Sequence, residues 1–107
     1  MQFDHAAQVV PNIAEAVAWY CETIPGSRVL YQDLTWALIE AAGVRLAFVT
    51  EQQHPDHLAW RVSREDLLRL AQNYEKTVVT HRDGTEGFYL EAPGGRTVEI
   101  IWMGDIS

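Results

Sequence analysis

Asp4-His5-Ala6-Ala7-Gln8-Val9-Val10 and Asp56-His57-Leu58-Ala59-Trp60-Arg61-Val62 share one pattern, D-H-x-A-x-x-V, at an offset of 52 positions. The same offset carries Gly43-Val44-Arg45-Leu46-Ala47-Phe48-Val49 onto Gly95-Arg96-Thr97-Val98-Glu99-Ile100-Ile101. Two matches at one offset point to two copies of a single supersecondary unit. The 107 residues therefore read as one domain made of two modules, 1–52 and 53–107, with no long linker between them.

Each module reads strand, helix, then three strands. In the first, Phe3–Val10 is a strand that Pro11 stops. Asn12, with Glu15 three residues on, has the form of a capping box. Ile13, Ala16, Val17, Tyr20 and Ile24 then fall at helical spacing until Pro25-Gly26. Strands are expected over Arg28–Gln32, Trp36–Glu40 and Val44–Thr50. In the second module His57–Val62 is the first strand and Ser63 the helix cap. Leu67, Leu70, Ala71 and Tyr74 form the apolar stripe. Thr77–His81, Phe88–Glu91 and Thr97–Trp102 complete the strands, with turns at Asp83-Gly84 and Pro93-Gly94-Gly95. The expected fold is α+β: two βαβββ modules side by side in a curved mixed sheet, helices on the outer face and a concave cup on the other.

Side chains alternate along a strand, so parity decides what enters that cup. Leu58, Trp60 and Val62 form the apolar set that belongs against the helix, leaving His57, Ala59 and Arg61 on the open side. Val98, Ile100 and Trp102 take the helix side, leaving Thr97 and Glu99. In the first module the corresponding residues are His5 and Ala47. Two imidazoles and one carboxylate are the ligand set of a divalent-metal site with open positions for water, oxygen or substrate. Glu99 strengthens the reading. An unpaired carboxylate buried in Val98-Glu99-Ile100-Ile101-Trp102 costs several kcal/mol, on the order of the penalty for any buried charge, and a cation offsets it. Arg61, on the same face as His57, is the candidate for an anionic substrate group.

Charge and cysteine content exclude whole classes of partner. Fifteen acids against eight bases give a formal net charge of −7, a field that repels nucleic-acid backbones and anionic membranes. The bases stand singly. One cysteine, Cys21, cannot form an internal disulfide, which suits a reducing cytoplasm. No apolar run approaches 18 residues and Met1-Gln2-Phe3-Asp4-His5 has no signal-peptide character, so a cytoplasmic domain is expected.

Taken with these residues, the chain resembles the vicinal oxygen chelate superfamily of glyoxalases, bleomycin-resistance proteins and extradiol dioxygenases. The resemblance rests on Asp4-His5, on Ala18-Trp19-Tyr20 running to Pro25-Gly26, on His57, and on the ending Phe88-Tyr89-Leu90-Glu91-Ala92-Pro93-Gly94-Gly95-Arg96-Thr97-Val98-Glu99-Ile100. It implies that His5, His57 and Glu99 bind one divalent transition metal ion, with Fe(II) favoured and Mn, Ni or Zn possible. Four-ligand members carry a further ligand where this chain has Ala47, a departure from the glyoxalase I pattern. Val79-Thr80-His81 followed by Phe88-Tyr89, Ala92-Pro93, Gly95 and Glu99 is similar to the extradiol signature. That likeness implies proton-handling and substrate-orienting roles for His81 and Tyr89.

The resulting expectation is a mononuclear metalloenzyme acting on a small oxygenated organic molecule, leaning to dioxygenase-type chemistry. Lyase, isomerase or thiol-transfer chemistry on the same metal is one alternative; a metal-free module that binds a drug-like molecule is another. A homodimer is expected, because so short a chain leaves sheet edges free. Cys21 reads as a buried, inert thiol, His54 as an exposed linker residue, and Trp19, Trp36, Trp60 and Trp102 as mostly core.

Overall fold

Asn12 and Ser63 begin the two helices as the sequence requires. The Asn12 side chain accepts a 2.9 Å hydrogen bond from the Glu15 N–H, and Ser63 Oγ accepts one of 3.1 Å from the Asp66 N–H. Each supplies an acceptor to a first-turn donor that the helix cannot satisfy. Helix α1 spans Ile13–Thr23 and α2 spans Arg64–Asn73 in this computed structural model, which describes residues 1–50 and 55–104. His54 lies outside the described residues. Among the described residues no helix is long and apolar enough to cross a membrane.

The strands are β1 (Gln2–Val9), β2 (Arg28–Gln32), β3 (Trp36–Ala41), β4 (Val44–Val49), β5 (His57–Arg61), β6 (Val79–Thr80), β7 (Glu86–Ala92) and β8 (Arg96–Trp102). They form one mixed open sheet in the order β2-β3-β4-β1-β5-β8-β7-β6. The chain order β1-α1-β2-β3-β4 recurs as β5-α2-β6-β7-β8, the βαβββ pattern twice over. Contacts divide the chain into two compact units, His5–His57 and Met1–Asp4 with the segment from Leu58 onward.

In the His5–His57 unit β1 runs parallel to β4, and β3 pairs antiparallel with both β2 and β4. Its core packs Ile13 and Val17 of α1 on Ala37, Ile39, Ala41 and Phe48, with Ala16, Tyr20 and Ile24 against them. All five positions of the expected α1 stripe face this core. The β3–β4 hairpin turns through Ala42 and Gly43, both at positive φ, as a two-residue type I′ turn demands.

In the other unit β7 pairs antiparallel with β6 and β8, and α2 sets Leu67 and Ala71 on Val62, Phe88 and Ile100. Gly87 is obligatory here. A Cβ at that position would stand 2.5 Å from the Ile100 carbonyl oxygen, so only glycine lets the two strands approach. The same turn device recurs in both halves. Asp33 and Asp83 each accept bonds from the backbone N–H and hydroxyl of the threonine two residues on, Thr35 and Thr85. Local side-chain bonding of this kind is why aspartate closes tight turns.

Several expectations change. The Thr77–His81 strand shrinks to Val79–Thr80, because the His81 N–H bonds back to the Thr85 carbonyl and turns the chain. Strand β7 starts earlier than expected, at Glu86. Leu58 is 46% exposed rather than packed against the helix, since the cluster under α2 gathers at Trp60 and Val62. Tyr74 caps α2 and is exposed. Trp60 and Trp102 pack on the core, but Trp19 is 56% exposed and Trp36 also reaches solvent. Cys21 is exposed. His57, Ala59 and Glu99 are all buried.

Candidate metal centre

His5 lies within β1 and His57 opens β5. Gln8 of β1 accepts a 3.1 Å bond from the Tyr20 hydroxyl of α1, which places Gln8 on the helix side. Alternation then turns His5, three residues earlier, to the opposite face. There it meets His57 edge to face, the ring centroids 5.7 Å apart and the planes at 72°. The His57 ring is fixed from behind. Its Nδ1 lies 2.8 Å from the Pro55 carbonyl oxygen, an acceptor only, so Nδ1 carries the proton and Nε2 keeps its lone pair. A backbone carbonyl on the far nitrogen is the usual way a ligating imidazole is oriented.

Glu99 sits in β8, directly across from Tyr89 of β7. It is 6% exposed, and Tyr89 donates its phenolic O–H to the Glu99 carboxylate. Burial first, then the charge of Glu99 and this bond, push the Tyr89 hydroxyl up to about 12. Tyr89 is thus a firm proton donor at neutral pH and not a phenolate.

His5, His57 and Glu99 each offer one ligand atom, and these atoms lie within 4.8 Å of one another. Metal bonds of roughly 2.1 Å place ligand atoms about 3–4 Å apart, the same scale as this cluster. Neutral nitrogen and carboxylate oxygen together suit first-row divalent metals.

The other two candidates have these contacts. His81 follows β6: its carbonyl accepts the Gly84 N–H, and its charge helps hold the Asp83 carboxyl below the ordinary range after the two bonds from Thr85. Arg61 is committed to Asp4, its Nη2 donating to Oδ1 at 2.8 Å, with the Asp4 side chain almost fully buried. The Arg61 Nε is buried without a hydrogen-bond partner among the described residues. Ala47 is buried in β4 and brings no ligand atom. Two contributors were not visible in the sequence reading. Pro55 acts through a carbonyl, which every residue has. The Asp4–Arg61 pair had a signal, an acid inside a strand, that could have been read.

No family model matches the chain, and no curated protein matches it. Solved structures do. A dioxygenase of B. fuscum, described as extradiol ring-cleaving, superposes with a TM-score of 0.72 at 18% identity, over 95% of this chain and 32% of that one. This chain thus spans about a third of the dioxygenase's length. A glyoxalase/bleomycin resistance protein/dioxygenase superfamily member from Vibrio splendidus gives 0.68 at 10% identity, covering 92% of this chain and 97% of its own. A Legionella pneumophila protein described as an NAD-dependent benzaldehyde dehydrogenase gives 0.67 at 16% identity, over 92% and 97%. Identities this low carry the fold and not the chemistry. With the βαβββ repeat and the sheet order, they show that the chain has the vicinal oxygen chelate fold.

Proposed function

We propose that this protein is a mononuclear metalloenzyme acting on a small oxygenated organic substrate, with His5, His57 and Glu99 as its metal ligands. The observation that carries the reading is the spacing of the three donors, with His57 Nδ1 already spent on Pro55. Fe(II) is the favoured ion and ring-opening dioxygenation the favoured chemistry, for which the ion supplies a Lewis-acidic, redox-active centre with open positions. Three protein ligands, and an alanine at position 47, set the chain apart from a four-ligand lyase. Tyr89 holds Glu99 in place and keeps a proton near the substrate's oxygens. Arg61, tied to Asp4, is given a structural part rather than substrate binding. The working form is a homodimer in the cytoplasm, a second copy covering sheet edges that the single chain leaves exposed.

Elemental analysis of protein purified without chelator tests the metal: about one transition-metal ion per chain is expected, lost in His57→Ala. Oxygen uptake by Fe(II)-loaded protein with catechol tests the chemistry. Protein that takes up none of Fe, Mn, Ni or Zn would instead be a metal-free binding module.

A further inference from the structure

Each of the two clustered histidines follows an aspartate, Asp4 before His5 and Asp56 before His57. Neither aspartate is among the three clustered ligands. Both are engaged across the sheet instead. Asp4 Oδ1 accepts a 2.8 Å bond from Arg61 Nη2, and Asp56 Oδ1 accepts one of 2.6 Å from the Val9 N–H. The offset of 52 carries Asp4 onto Asp56 and Val9 onto Arg61. Each contact is therefore the image of the other, with the two copies of the repeat exchanged. Val9 is the last residue of β1 and Arg61 the last of β5. In both contacts the aspartate before one histidine holds the end of the other histidine's strand.

The two bonds are made differently. Successive N–H groups along a strand point to opposite edges. The Val10 N–H goes to the Val49 carbonyl of β4, so the Val9 N–H points to the other edge, toward β5. Strand β5 begins only at His57, and the Asp56 carboxylate just ahead of it supplies the acceptor. At Arg61 the guanidinium takes the place of the N–H and reaches Asp4, whose side chain is almost fully buried. Asp4–Arg61 lies inside one compact unit and Val9–Asp56 inside the other. Pro55, Asp56 and His57 thus act in succession. The Pro55 carbonyl fixes the ring nitrogen, Asp56 ties the chain to the end of β1, and His57 meets His5. Donors carried by different strands stay together only as well as those strands are held.

We propose that Asp4 and Asp56 are paired positioning residues of the metal centre. Neither touches the ion; each fixes the backbone of the histidine that follows it by gripping the last residue of the other histidine's strand. The inference rests on the proposed function for the ion itself. Donors held in place beforehand bind more tightly, because the ion does not have to order them.

Co(II), whose visible absorption reports its ligands, is the probe, titrated in competition with a chromogenic chelator. Asp56→Ala and Arg61→Leu are each expected to weaken Co(II) about fivefold or more, the weight of one hydrogen bond. Asp56→Asn keeps an oxygen for the Val9 N–H and is expected to stay within about twofold of the wild type. At saturation the absorption bands of all three should match the wild type, because the ligands are unchanged, whereas His57→Ala should lose them. Co(II) affinity within about twofold of the wild type in both folded Asp56→Ala and folded Arg61→Leu, whatever their urea midpoints, overturns this inference and leaves the metal centre standing. Shifted bands in Asp56→Ala make Asp56 a ligand and overturn it as well. Wild-type protein that takes up no Co(II), Fe(II) or Zn(II) overturns the proposed function and this inference together.

Discussion

The imidazoles of His5 and His57, 52 positions apart in the chain, lie 5.7 Å apart between ring centroids. Their sequence equivalence in the repeat becomes a physical contact, and the two rings need only a carboxylate to complete a metal site. On the proposed function, replacing either by alanine is expected to abolish metal uptake. His81→Ala is expected to keep it, because His81 is not among the three residues whose ligand atoms cluster. Metal content of the three variants, measured side by side by mass spectrometry, checks this.

Tyr89 fixes Glu99 through a hydrogen bond across the β7–β8 pair. Tyr89→Phe keeps the ring and loses the donor, so the fold should survive. Metal affinity should fall about tenfold or more, the usual effect of removing a partner behind a ligand. Competition against a chromogenic chelator gives the number.

Asp33 ties stability to acid. Its carboxyl titrates near 2 when folded, below the roughly 3.9 of an unfolded chain. The contribution is therefore complete above about pH 4 and is lost as pH falls through about 2. Urea midpoints should show the wild type ahead of Asp33→Asn at pH 6, with the gap closing toward pH 2.

Asp4 is almost fully buried and is paired with Arg61, which keeps about a third of its side chain in solvent. Arg61→Leu takes a charged partner from that carboxylate and should cost about 1–2 kcal/mol, less than breaking a fully buried pair because of that exposure. Adding Asp4→Asn should recover most of it. Chemical denaturation of the two single variants and the double variant closes the cycle.

Ala42 sits at φ 53°, where a side chain crowds the backbone. Ala42→Asn would create the Asn-Gly pair that two-residue hairpins favour. A gain of about 0.5–1 kcal/mol is expected from thermal or urea unfolding.

The sequence by itself determined the order of elements, strand-helix-three strands twice over. The capping residues Asn12 and Ser63 and the apolar stripe of α1 are local signals, and each appears where it was read. Periodicity also placed His57 and Glu99 away from the helices, since alternation is a property of the strand alone. Burial was different. Whether Leu58, Trp19 or Cys21 is covered depends on what packs above it, and no local pattern encodes that; all three proved exposed. Only the tertiary structure decided that Pro55 orients His57, that Asp4 claims Arg61, and that Tyr31 and Trp36 stack. Those are contacts through space, set by strand register and turn geometry, and register is fixed only when the whole sheet has formed.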